Sequence, residues 1–441
     1  MIAELRYGRD GLQVELPDEH VAAVLRQKQL SALDDPAQAL REALADPIGA
    51  APLSEIARGR ANACIVVSDI TRPVPNPVIL PPLLETLTAA GIPPERVTIL
   101  IATGLHRPAT DAEIREICGD EVLVSGARIV NHRAANEDEQ VHLGQTSRGT
   151  PAFVDRAYVD ADLTVLTGLV EPHLMAGYSG GRKAICPGVA GCETIMAFHG
   201  PQLLEPPEAR AGNLVDNPVH EEALAVADLA GGADFIVNVT LDEQRAVTGV
   251  FAGEMRAAHE AAMALCERQA KVVLDEPADI VVTSGGGYPL DLTLYQSTKG
   301  IVAADLICRE GGTIIIAQQN AEGLGSPEFS ELICQEDVHA CIQDALATGD
   351  ICIDTWQLHV VEKVLRRCKV ISISDLPDED AARTPFEQAE TVEEAVERAL
   401  AAHGPAARIA VVPEGPYVLA CLASDPVGRM SVGEMLETSR S

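Results

Sequence analysis

Residues 168–191 read GLVEPHLMAGYSGGRKAICPGVAG, setting His173, Arg182 and Lys183 among glycines. Imidazole moves protons near neutral pH, cationic side chains hold anions, and glycine lets a backbone pass close to a ligand. A turn of purely structural purpose requires neither a Pro-His pair nor an Arg-Lys pair. Two earlier stretches share the character: SDITRP at 68–73 contains Arg72, and ATGLHRP at 102–108 contains His106. His199 follows in AFHG at 197–200. The three stretches lie where apolar runs stop, at 64–67, 96–102 and 162–167. If those runs are parallel strands, their C-terminal ends share one edge of a sheet, and right-handed crossovers bring the loops together. Arg72, His106 and His173 then converge although they are far apart in the chain.

The elements that must position them alternate between strand and helix. A hairpin is predicted at the start, turning at Gly8–Gly11. A helix follows from Pro36 to about Asp46, then the 64–67 strand and a helix over 77–90. The 96–102 strand leads to a helix opened by a Thr110–Glu113 capping box. Residues 127–130 and 234–240 read as further strands, and 193–198, 218–229 and 253–269 as helices. A second unit starts near Pro277. Its strands are 279–283, 312–317, 369–374 and 408–412. Its helices are 291–306, one begun by Ser326-Pro327, 356–367 and 393–402. The fold class is therefore α/β: two α/β domains with mostly parallel, helix-covered sheets and an active-site cleft between them. The expected division is 1–274 for the N-terminal domain, 275–405 for the C-terminal domain, and 406–441 as a segment returning to the N-terminal domain.

Composition supports this class. Apolar residues make up 47% of the 441 and aromatics only 3%, so the core is built from Val, Ile, Leu and Ala, as in sheets covered on both faces. The formal net charge of −33 opposes binding to nucleic acid or to anionic membranes. Against that field, an anionic substrate needs a local basic cluster. No run approaches the roughly 18 apolar residues of a membrane span, and the first residues show no signal-peptide core. Eleven cysteines, with no CxxC pair, point to reduced thiols in the cytoplasm.

Several common motifs fail. GYSGGRKA at 177–184 lacks the Ser or Thr of a Walker A loop, and Leu290 stands where a dinucleotide fingerprint needs glycine. His220-Glu221 begins an HExxH pattern that position 224, a leucine, breaks. What remains is the set already quoted together with YQSTKG at 295–300 and Thr355-Trp356. In this order, over nearly the whole chain, the set resembles the nickel-pincer lactate racemase family and its 2-hydroxyacid racemase and epimerase relatives.

The resemblance implies a cofactor, a metal and a set of roles. The cofactor is a pyridinium mononucleotide with two sulfur-containing arms that holds nickel, and Lys183 matches the lysine that tethers it. His199 matches the protein's nickel ligand. His106 and His173 match the two alternating proton donors and acceptors. Arg72 and Lys299 match residues at the substrate, Tyr295, Gln296 and Trp356 match other substrate-pocket residues, and Asp69 matches a residue on the cofactor side. Gly180 and Gly181 supply backbone for a phosphate nest or for close passage beside the ring. The implied reaction inverts C2 of a lactate-like 2-hydroxyacid by hydride transfer. Its implied partners are the small anionic substrate and the cofactor-synthesis enzymes. Chemistry agrees: Arg72 is a natural fork for a carboxylate, and a sulfur-rich nickel centre accepts one imidazole.

Two other classes stand beside this reading. One is a divalent-metal hydrolase or lyase with His106, His173 and His199 as direct ligands, which leaves the glycine stretch and Lys183 without a purpose. The other is a cofactor carrier without catalysis. His132, His220 and His359 have no motif around them and read as structural or exposed.

Overall fold

A computed structural model describes residues 1–440. The N-terminal sheet has six strands in the order Val247–Gly253, Phe235–Leu241, Thr164–Leu169, Ala63–Ser68, Val97–Ala102 and Arg128–Asn131. All pairs are parallel except the first, whose edge strand runs antiparallel. The apolar run at Ala63–Ser68 is buried on both faces. Ile65 and Val67 join one core, with Leu80, Leu83 and Leu87 of the Asn76–Ala89 helix. Cys64 and Val66 join another, with Ile185 and Val189 of the glycine stretch and Ala258 of the Met255–Ala270 helix. The candidate loop is thus itself one of the layers covering the sheet.

The C-terminal sheet also has six strands: Glu387–Gln388, Lys369–Ile373, Cys308–Ala317, Ala278–Ser284, Ile409–Val412 and Val21–Val24. Every pair is parallel. The helices Leu294–Asp305 and Thr355–Leu365 cover one face through Leu294, Ile301, Leu358 and Val361. The strand and helix alternation read from the sequence is present in both sheets, with strand ends shifted by a residue or two except at Cys308–Ala317, which starts four residues before the expected 312. Two predicted helix starts form as well, the Thr110–Glu113 box and Ser326 at the Phe329 amide, and Thr391 caps a further helix at the Glu394 amide.

The sheets divide the chain differently from the expected bounds. Val21–Val24 pairs with Ile409–Val412, so the first residues are built into the C-terminal sheet and not into the domain that follows them. The opening hairpin, Ile2–Leu5 with Leu12–Glu15, sets Ala3, Leu5 and Val14 against the same sheet. Gly8 and Gly11 turn it with φ of 48° and 77°, values that favour glycine. At the other end, the return to the N-terminal domain starts later than residue 406. Ile409–Val412 still lies inside the C-terminal sheet. Only Leu419–Leu422 leaves it, pairing with Lys271–Leu274, and Val432 and Met435 then pack on the Met255–Ala270 helix. A ribbon of Gln140–Gln145 with Pro151–Asp155 was not read from the sequence. Its strands are partly exposed and irregular in register, which removes the alternation that marks a strand.

Candidate active site

The C-terminal ends of Ala63–Ser68, Val97–Ala102 and Thr164–Leu169 open on one cavity of about 230 Å³. Asp69, Arg72, His106, His173, Gly180 and Lys183 line it from the N-terminal domain, with His199. Tyr295 and Trp356 line it from the C-terminal domain. A larger cavity of about 690 Å³ shares Arg72 and His173 and adds Gln296 and Lys299. Of the twelve residues singled out from the sequence, only Gly181 lines neither. Its amide donates to Asn238 Oδ1 at 3.1 Å, and a Cβ there would sit 2.5 Å from the His259 ring. Gly180 is equally crowded, by Val170 and Asn238. These glycines are required by close packing, and the Gly181 amide is not available to a phosphate.

His106 stands just beyond Val97–Ala102, in a loop whose Gly104 amide donates to the Gly188 carbonyl at 3.0 Å. Its Nδ1 donates to Asp69 Oδ2 at 2.7 Å, leaving Nε2 as the nitrogen with a free lone pair. Asp69, read from the resemblance as a cofactor-side residue, is the orienting carboxylate of this histidine. Burial drives the Asp69 carboxyl up, but His106, the Thr71 hydroxyl and Arg72 together hold it below its usual value. Thr71 Oγ1 donates to its other oxygen at 2.6 Å.

His173 is held differently. Pro172–His173 pairs with Gly177–Tyr178 in a tiny hairpin, and His173 Nδ1 accepts the Met175 and Ala176 amides at 3.3 and 3.2 Å. Its neutral ring therefore carries the proton on Nε2. Burial, then Lys183, Arg72, Lys299 and Arg182, push its pKa well below the ordinary histidine value. Arg182 braces the hairpin from behind, donating to the Tyr178 and Ala176 carbonyls at 3.0 and 2.7 Å. It is 1% exposed, and burial lowers its pKa to about 9. A role for Arg182 was not assigned from the sequence, because an Arg beside a Lys gives no sign of which one turns inward.

Lys183 lies over the Phe198 ring, 5.7 Å from its centroid, and no carboxylate pairs with it among the described residues. Burial, then Arg182 and Arg72, lower its pKa to about 7, so much of the amine is unprotonated and nucleophilic at neutral pH. His199 Nδ1 donates to the Ile195 carbonyl at 2.9 Å, and its ring stacks on Trp356 with centroids 4.6 Å apart. Burial, then Lys183, lower its pKa to about 3. A neutral ring whose other nitrogen is fixed by a carbonyl is the form that binds a metal.

The basic cluster comes from both domains. Arg72 Nη1 is 3.4 Å from Glu171 Oε1, and Lys299 Nζ donates to Gln296 Oε1 at 2.5 Å. Burial, then Arg72, lower the Lys299 pKa to about 7. The ion-pair partner of Arg72 is Glu171, an acid in the quoted stretch that had been given no role. Tyr295 Oη accepts from Trp356 Nε1 at 3.3 Å. His132 is buried between Asp155 and the Ala190 carbonyl, a structural placement, and His359 is buried at the domain interface. No group of three His, Cys, Asp or Glu side chains is placed to hold a metal ion among the described residues. The three-histidine arrangement needed for a zinc hydrolase is not assembled.

Two α/β domains thus line one site with a pair of histidines, a cationic cluster and a lysine of lowered pKa. The chain belongs to the lactate racemase family: the family's N-terminal domain pattern matches residues 7–212 and its C-terminal domain pattern residues 273–420. It is 35% identical to lactate racemase of Lactiplantibacillus plantarum over 422 residues, covering 94% of this chain and 99% of that one. It is likewise 35% identical to lactate racemase of Thermoanaerobacterium thermosaccharolyticum over 424 residues, covering 94% and 98%. The apoprotein structure of lactate racemase from that organism superposes with a TM-score of 0.88 at 34% identity, over 95% of this chain and all of that one. A Thermotoga maritima protein structure shares the fold, with a TM-score of 0.67 at 19% identity.

Proposed function

We propose that this chain is a racemase of lactate or a closely related 2-hydroxyacid, working with a nickel-pincer nucleotide tethered at Lys183. The observation that carries this reading is one cavity lined by two differently held histidines, an unpaired low-pKa lysine and a neutral His199. Lys183 would hold the nucleotide through its amine, and His199 Nε2 would hold the nickel. The bound group supplies a hydride acceptor and donor for the α-carbon. The substrate carboxylate pairs with Arg72 and Lys299, as the cationic cluster requires. His106 Nε2 takes the hydroxyl proton on one face, with Asp69 fixing the ring and stabilising the imidazolium. The resulting 2-keto acid is planar, so turning it presents the other face, where His173 serves the hydroxyl oxygen. Trp356, Tyr295 and Gln296 close the pocket from the C-terminal domain. Cytoplasmic location belongs to the same reading, because tethering needs the cofactor-synthesis enzymes in the same compartment.

The test is to make the protein in cells that synthesise the cofactor, with nickel supplied. Intact mass and metal content should show an adduct with about one nickel per chain. Lactate should racemise, and Lys183→Ala should lose both adduct and activity. Full racemase activity in Lys183→Ala, or zinc without an adduct, overturns the reading.

A further inference from the structure

The helix Thr355–Leu365 carries Trp356, His359 and Lys363 at helical spacing on one face, with Arg366 just past its end. Beyond Trp356, this row does not face the cavity. It grips the N-terminal domain at Glu205. Arg366 donates to Glu205 with both terminal nitrogens, at 2.8 and 2.9 Å, and His359 Nε2 donates to Glu205 Oε2 at 2.7 Å. Lys363 Nζ donates to the carbonyls of Leu204, Glu205 and Pro206 at 2.8, 3.1 and 3.3 Å, capping the short helix Pro201–Leu204. Glu362 holds Arg366 from its own helix at 3.0 Å and takes His339 Nδ1 at 2.6 Å. Beneath these charges lies an apolar pad containing Phe198, Leu204, Trp356 and Val360.

Both ends of this grip are close in sequence to the Trp356–His199 stack. His199 precedes Glu205 by a glycine and the Pro201–Leu204 helix. Trp356 precedes His359 by one helical turn. Any shift of the grip therefore moves the indole and the imidazole relative to each other. Apart from that stack, the His199 ring is held by its Nδ1 bond to Ile195 and by an edge contact with the adjacent Phe198 ring, centroids 4.8 Å apart.

We propose that Glu205, clamped by His359, Lys363 and Arg366, is a positioning residue that sets the Trp356–His199 stack and with it the direction of His199 Nε2. The consequence for catalysis rests on the proposed role of His199; the setting of the stack does not. A plain domain fastener would stabilise the two-domain arrangement without controlling that stack.

Trp356 is the only tryptophan in the chain, so its fluorescence reads the stack directly. The measurement uses the full-length chain without cofactor, and separately the enzyme matured with cofactor and nickel. Glu205→Ala should shift Trp356 emission to longer wavelength and raise its quenching by acrylamide about twofold or more, because the indole loses its imidazole cover. In the matured enzyme it should lower kcat roughly tenfold while KM moves less than about twofold, the signature of a displaced reacting group and not of lost substrate binding. Arg366→Lys keeps the charge but loses the fork, and should move both readouts the same way by less. Glu243→Gln, which breaks the separate Arg6–Glu243 pair, should leave both at the wild-type value. If Glu205→Ala does not fold, Arg366→Lys decides. Emission and quenching at the wild-type value in the folded variants overturn the proposal. A moved stack with unchanged kcat overturns its catalytic part. A wild-type chain that matures without racemising any 2-hydroxyacid sinks the proposed function and leaves the fluorescence result standing.

Discussion

His106 and His173 serve one cavity from neighbouring loops, yet the protein prepares them in opposite ways. His106 is half exposed, and a carboxylate holds the proton on its Nδ1, so its Nε2 can accept a proton without any rearrangement. His173 is packed among cations, and two backbone amides occupy its Nδ1, so its Nε2 already carries the proton of the neutral ring. To take or give a proton at Nε2, His173 must bind one at Nδ1, against the Met175 and Ala176 amides. Those contacts are long, and the two-residue ladder that carries them is short. The lesson is that, on the proposed function, a symmetric reaction would be run by unequal partners. One has a fixed orienting carboxylate, and the other depends on a small hairpin and on how much positive charge surrounds it. A bound carboxylate offsets Arg72 and Lys299, which raises the His173 pKa towards the range where it can act.

The comparison breaks most visibly at Asp69. Asp69→Asn should reduce kcat about 10²- to 10⁴-fold, the usual weight of an oriented general base. Single-turnover measurement of 2-keto acid from each enantiomer separately should show the larger loss for the enantiomer that uses His106. Equal losses for both would mean that the two histidines are not separable. Arg72→Ala comes next. A charge-assisted hydrogen bond is worth about 1.5–3 kcal/mol, so kcat/KM should fall roughly 10- to 100-fold, mostly through KM. A change confined to kcat would move Arg72 from substrate binding to chemistry. A smaller effect tests the charge around His173. Lys299→Met removes one of the cations that depress its pKa, so that pKa rises. The acid limb of the kcat/KM profile should then move up by about one pH unit or less. A limb that moves down would overturn the assignment.

The smallest effect lies behind the His173 hairpin. His259 is 4% exposed, and burial followed by Arg182 lowers its pKa to about 3. Its folded pKa is depressed, so the unfolded chain binds the extra proton as pH falls below about 6.5. Stability is present above that value and is lost on acidification, with a slope of up to about 1.4 kcal/mol per pH unit from this group. Urea unfolding of wild type and His259→Gln at pH 5 and pH 7 should show the flatter dependence in the variant.

The grouping of Arg72, His106 and His173 was legible in the sequence because parallel strands put their C-terminal ends on one edge, whatever the intervening chain does. The two-sheet α/β architecture was legible for the same reason. What could not be read was partnership. Nothing in SDITRP says that the Asp69 carboxylate turns to His106, and nothing in GLVEPH says that Glu171 turns to Arg72. Such contacts depend on side-chain directions across loops 30 to 100 residues apart in the chain. The segment Val21–Val24 was missed because a four-residue run of Val and Ala has no periodicity to mark it, and its partner strand lies at the far end of the chain.

That distant partner sets a timetable for synthesis. Val21 leaves the ribosome long before the Ile409 strand that pairs with it. At about 5–20 residues per second, the interval between them is on the order of 20–80 seconds. During that time the hairpin at Ile2–Glu15 has an apolar face and no sheet to cover. The N-terminal α/β sheet, complete by Gly253, can fold while the opening residues wait. A nascent-chain or pulse-proteolysis experiment should find the first two dozen residues cleavable long after the middle of the protein has become resistant.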